Sequence, residues 1–121
     1  MLNKIVVMGR LVKDPDLRAT ASGKPVANFT LAVERDREVN GERTTDFIDC
    51  VAWNGTAEFV SKYFSKGSMA VVAGRFQSRK YTDKDGNNRT AWEIVAENVY
   101  FGQAKKETFT ELPNNDGDLP F

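Results

Sequence analysis

The sequence predicts an all-β fold: five strands closed into a small Greek-key barrel, one short helix between the third and fourth strands, and a flexible C-terminal tail. Three observations predict it. Stretches rich in Val, Ile, Phe, Trp, Tyr and Thr recur at 4–12, 26–35, 44–53, 69–81 and 90–101, separated by polar or glycine-bearing segments. Between the third and fourth, Ala57, Val60 and Phe64 recur at helical spacing. From residue 103 onward the chain is a polar spacer with little capacity to build a core.

In the first strand Gly9 marks a bend or a close backbone approach rather than a phosphate loop. The third strand alternates: Ile48, Cys50 and Ala52 form an apolar inward row, while Thr45, Phe47, Asp49, Val51 and Trp53 take the other face. Asn54-Gly55 then breaks the strand, Thr56 can cap a helix, and Lys66-Gly67 ends it. On the fourth strand Val72, Gly74 and Phe76 read inward, opposite Arg75, Gln77, Arg79 and Tyr81. Asp83 to Asn88 form a polar turn longer than a minimal hairpin loop, able to project from the body. In the fifth strand Trp92 shares parity with Ile94 and Ala96, and core, subunit interface and second stacking ring all stand as readings for it. Five strands with a helix between the third and fourth match the OB-fold, whose surface binds oligonucleotides or oligosaccharides. Fold alone does not choose between those ligands.

With 121 residues, 40% of them hydrophobic, the chain supplies one core and one tail. The expected divisions are an OB domain over 1–102, a linker over 103–115 reaching on the order of 20 Å as a coil, and an acidic tip over 116–121. Cys50 is the sole cysteine and histidine is absent. Intramolecular disulfides, the common zinc sites and histidine-dependent catalysis are thereby excluded, so no enzyme, metal or cofactor is expected. Cys50 itself reads as a small core residue rather than a nucleophile. No apolar run is long enough to span a membrane and no leader opens at Met1, which leaves a cytoplasmic, nucleoid-associated protein as the expectation.

The zero net charge conceals a division. Residues 1–106 carry all 17 Lys and Arg against 13 of the 17 Asp and Glu, a surplus of +4, and the remaining four acids lie beyond. That split fits a polyanion binder with a separate docking segment. The segment ends in Asp116-Gly117-Asp118-Leu119-Pro120-Phe121, whose acids, apolar tip and terminal carboxylate suit a small basic pocket on a partner.

The candidate site is the outward face of the third and fourth strands. There Phe47, Trp53 and Tyr81 stand near Arg75 and Arg79. Exposed rings stack on unpaired bases while Arg and Lys follow the phosphates, so such a groove prefers single strands to duplexes. An outward aromatic row is also a common protein interface, and single surface arginines are ordinary solvated charges. A structural adaptor, an OB-fold primosome or RNA-binding accessory protein, and a sugar-binding module are the competing readings. The run of cations counts against a neutral glycan.

At this level of detail the chain resembles the bacterial single-stranded DNA-binding proteins. The similarity runs through Asn3-Lys4, Ile5 to Leu11, Asp14 to Arg18, Ser22-Gly23, Val26 to Ala32, Asp46-Phe47, Cys50 to Trp53, Ala57-Glu58, Lys66-Gly67-Ser68, Gly74-Arg75-Phe76, Ser78 to Tyr81, Asp85-Gly86 and Glu93 to Ala96. The resemblance implies a non-catalytic homotetramer that wraps single-stranded DNA without sequence preference and docks replication, recombination and repair proteins through its tip. The family's stacking aromatics fall on Phe47, Trp53 and Tyr81, as strand parity does. Its phosphate contacts fall on Arg35, Arg37, Arg79, Lys80 and Lys84, with Lys4, Arg10, Arg18, Lys66, Arg75 and Arg89 as further candidates. Its docking tip falls on Asp116, Asp118, Leu119, Pro120 and Phe121. Two departures stand out: Arg37 lies near a place where many members carry another aromatic, and Gly117 interrupts the acidic run.

Overall fold

The computed structural model describes residues 1–103. The expected tip, with Asp116, Asp118, Leu119, Pro120 and Phe121, lies outside the described residues, as does the linker after Gln103. The elements follow as β1 (Ile5–Leu11), β2 (Asp16–Ala19), β3 (Pro25–Val39), β4 (Glu42–Trp53), α1 (Asn54–Tyr63), β5 (Met69–Thr82) and β6 (Asn88–Phe101). The sheet runs β1-β5-β6-β4-β3-β2, and a further β1–β3 pairing closes five of the strands into a barrel. All neighbours are antiparallel except β4 and β6, which run parallel through Cys50↔Ile94, Val51↔Val95 and Ala52↔Ala96. This is the expected five-stranded OB barrel with its helix on the predicted connection.

Closure depends on inward side chains from every barrel strand. Leu11, Phe29, Leu31, Cys50, Val72 and Ile94 are buried, and Ala27, Ala52, Ala70 and Ala96 keep the interior narrow. Helix α1 plugs one end with Ala57 and Val60. Phe64, just past its last turn, stacks on Phe101 at 4.9 Å and 12°, with Phe59 edge-on to both. Burial pushes the Cys50 thiol up to about 12, with Asp49 and Glu93 adding to the effect, as befits the core role expected of it. Gly9 and Gly74 are both close backbone approaches: a Cβ at Gly9 would stand 2.6 Å from the Ala32 carbonyl oxygen, where β1 meets β3.

Five expectations need correction. A sixth strand, β2, pairs with the start of β3 through Asp16↔Asn28 and Arg18↔Val26. The β3–β4 hairpin extends past the barrel to a two-residue turn at Asn40-Gly41, both at positive φ, the geometry that Asn-Gly favours. Thr56 does not cap α1; the helix begins at Asn54 after an extended Trp53, without a side-chain cap. Phe76 keeps its inward parity, opposite the buried Ile94, but is exposed, because β1 stops covering β5 at Gly74 and the β5–β6 ribbon runs clear of the barrel past Ile94. Val51 shows the converse, outward in parity yet 6% exposed beside Asn28 and Val95.

Candidate nucleic-acid interface

Cross-strand registers assemble the outer surface into rows. Arg10, Ala32 and Phe47 form one row across β1, β3 and β4. Arg18, Val26 and Trp53 form another across β2, β3 and β4. Between them, Asp16, Asn28, Val51, Val95 and Arg75 run across β2, β3, β4, β6 and β5. Side chains directly opposite in a ladder share a face. The face therefore continues onto the β5–β6 arm through Gln77↔Glu93, Arg79↔Ala91 and Tyr81↔Arg89. Phe47, Trp53 and Tyr81 thus occupy one continuous surface and are 68%, 42% and 43% exposed. Rings this open contribute little to the fold, and their faces are free to stack.

The cations differ in what already holds them. Arg79 lies 5.7 Å from the centre of the Tyr81 ring and its Nε approaches Glu93 at 3.5 Å, so aromatic and charge are held as a unit. Arg35 makes two hydrogen bonds to Asp46, at 2.9 and 3.0 Å, which hold the Asp46 carboxyl below and the Arg35 guanidinium above their ordinary ranges. Arg89 donates to Asp83 at 2.8 Å, and that bond, with backbone donors from Asn87, Asp85 and Gly86, lowers the Asp83 carboxyl and orders the 83–87 turn. Arg18 pairs with Asp16, and Lys4 pairs with Glu97. Arg10 donates to the Gly67 carbonyl, which brings it beside Lys66, and Arg75 donates to Gln77. Arg37, Lys80 and Lys84 make no ion pair among the described residues. Arg37 stands on the projecting β3 arm, Lys84 in the β5–β6 turn, and Lys80 on the side of the arm opposite Tyr81.

Sequence reasoning left the middle of the face without a role. A hollow there is lined by Lys13, Asp16, Asn28, Thr30, Asp49, Arg79 and Glu93. Thr30 donates to Asp49 at 2.9 Å, and Gln77 approaches Glu93 at 3.4 Å. The parity of Asp49 and Glu93 was readable, but their convergence follows from the β4–β6 pairing, which no local pattern announces. Three carboxylates against Lys13 and Arg79 leave the hollow slightly acidic, so phosphates would be held more readily by the guanidiniums around it. All of the ion pairs are solvent-exposed on at least one side, the weak kind that a phosphate can displace.

Comparison with known proteins shows the family. The single-strand binding protein family matches residues 2–102. The chain is 49% identical to single-stranded DNA-binding protein 2 of Listeria monocytogenes, over 96% of this chain and 73% of that protein. It is 44% identical to the single-stranded DNA-binding protein of Bacillus cereus, over 100% and 78%, and 46% identical to that of Staphylococcus aureus, over 92% and 72%. A match spanning the entire barrel, its added strand and both projecting arms places the chain in the single-strand binding protein family.

Proposed function

We propose that this protein binds and protects single-stranded DNA without sequence preference. The observation that carries the reading is the continuous outer face on which Phe47, Trp53 and Tyr81 stand open among Arg10, Arg18, Arg75 and Arg79. Bases stack on the rings, which every base can do, and phosphates take the cationic rim. Arg35, Arg37, Lys80, Lys84, Lys66, Lys4 and Arg89 are the further phosphate contacts, with Arg35 and Arg89 exchanging a carboxylate partner for the strand. No bond is made or broken in this function, in keeping with a family of non-catalytic DNA-binding proteins.

The test is tryptophan fluorescence during titration with oligo(dT) and with duplex DNA, at low and high salt. Strong quenching by the single strand alone is expected, with log affinity falling in log salt by about 0.7 per phosphate contact. Equal response to duplex, or binding indifferent to salt, would refute the reading.

Self-association and partner docking complete the proposal. Val6, Met8, Val71 and Tyr100 share the outer face of β1, β5 and β6, and Val6, Met8 and Tyr100 are each more than half exposed, an apolar patch that supports assembly into a homotetramer. The tip at 116–121 serves as the docking segment for replication, recombination and repair proteins in the cytoplasm, on the nucleoid, at the end of the 103–115 linker. Ending the chain before Leu119 is expected to leave oligo(dT) affinity unchanged and to remove partner capture. Equal capture by the shortened chain would refute the docking role. No helix among the described residues is long and apolar enough to cross a membrane.

A further inference from the structure

We propose that Phe76 and Trp92 form a second base-stacking site for single-stranded DNA, on the side of the β5–β6 arm opposite Tyr81. The inference rests on the single-strand reading above and extends it to a surface outside the Phe47–Trp53–Tyr81 face. The two rings lie nearly parallel, 5.1 Å apart at 21°, yet outside any core: Phe76 is 38% and Trp92 56% exposed. One face of Trp92 is covered by Phe76, and the indole remains otherwise open. The pair is held in place from below, because the Phe76 N–H donates to the Asn3 side chain at 3.0 Å while its carbonyl accepts from Asn3 Nδ2 at 2.8 Å. A platform fixed before binding loses little entropy when a base settles on it.

The neighbours identify the occupant. Ser78 faces Trp92 directly, and Lys80 faces Thr90 one step further along the same side. From Phe76 to Thr82 and from Asn88 to Ile94, this side of the arm carries a cation and hydroxyls but no carboxylate. An open ring beside an ammonium that no carboxylate of the described residues pairs suits a ligand with π faces and negative charge, which is a nucleotide strand. A protein partner would find polar groups where its apolar contacts should continue. The arm is only two strands wide, and a shallow hollow lined by Lys80, Tyr81, Thr82, Asn88, Arg89 and Thr90 takes residues from both of its sides. A strand leaving Tyr81 can therefore turn the edge of the ribbon and reach Trp92 with Lys80 on its phosphate. Long strands engage this site and short ones do not.

The full chain has two tryptophans, so Trp53→Phe leaves Trp92 as the sole reporter. Titrating that variant with long oligo(dT) is expected to quench Trp92, and an oligonucleotide carrying 5-iododeoxyuridine is expected to cross-link to it under ultraviolet light. In the otherwise native chain, Trp92→Ala should weaken long oligo(dT) binding about five-fold or more. It should also lower the nucleotides bound per protomer at saturation and leave a short oligo(dT) within about two-fold. Trp92→Phe should restore the loss. Unchanged affinity and saturation in Trp92→Ala, with no cross-link, would overturn this site while leaving the first face intact. A lower native mass of Trp92→Ala with unchanged saturation would assign the pair to a second copy of the chain instead. Failure of the unmodified protein to bind oligo(dT) at all would overturn both readings.

Discussion

Replacing Phe47 and Trp53 together by Ala is expected to lower oligo(dT) affinity by at least about thirty-fold while leaving the protein folded. Each base–aromatic stack contributes ~1–3 kcal/mol, so two lost stacks cost about 2 kcal/mol at the least, and 1.4 kcal/mol is a factor of ten. The rings are six residues apart on β4, about 20 Å of strand, and share no partner among the described residues, so their effects should add. Stability should move little, because Phe47 is 68% and Trp53 42% exposed and neither belongs to the buried core. The check is anisotropy of a labelled oligo(dT) read alongside a thermal melt. A melt shifted by many degrees would point to a structural role, whereas an undisturbed melt with undisturbed affinity would remove these rings from the DNA face.

That these two rings were legible in the sequence follows from where they sit. Within the barrel every strand has one face against a common interior, so alternation at Ile48, Cys50 and Ala52 fixes the direction of Phe47 and Trp53. Alternation loses this meaning where the interior ends. Phe76 continues the period of Val72 and Gly74, but it sits at the rim where β1 no longer covers β5, and inward parity there is left partly open to solvent. Strand β2 carried no pattern to read, because Asp16, Leu17, Arg18 and Ala19 are all exposed and are held only by backbone pairing to β3. The outer part of β3, from Glu34 to Val39, is likewise exposed or nearly so, and only Asn40-Gly41 marked it as half of a hairpin.

The cations show the same limit from the side of charge. Composition showed that the body is basic, but it could not show that Arg35 is held by Asp46 or Arg89 by Asp83 while Arg37 stands clear of both. Those pairings come from the β3–β4 register and the 83–87 turn, which bring together residues 11 and 6 positions apart. Arg18 enters the site only through β2, whose pairing sets it in the row of Val26 and Trp53.

Gly74→Ala is the substitution expected to cost the fold most for a single added methyl. A Cβ at this position would overlap the Val95 carbonyl oxygen and stand 2.9 Å from its carbon and 3.1 Å from the Glu97 nitrogen. All three are backbone atoms, so no rotamer change relieves the clash. The strands themselves must separate at the place where the register shifts, Ala73 pairing with Asn98 but Gly74 with Ala96, so that Glu97 bulges unpaired. Forced overpacking of this kind costs about 3 kcal/mol or more, a large share of the 5–15 kcal/mol that holds a domain folded. Gly55→Ala is the control: it adds the same methyl in α1 with nothing within 4 Å, and should be neutral or stabilising by up to about 1 kcal/mol. Urea midpoints of the two variants make the comparison, and equal midpoints would deny the close approach. The binding consequence separates packing from function further. Gly74 lies where β5 leaves the barrel, with Arg75, Arg79 and Tyr81 all on the arm beyond it. Spreading the strands there turns the arm relative to Phe47 and Trp53. Gly74→Ala molecules that remain folded should therefore still bind oligo(dT) more weakly, without having lost a single group that touches the strand.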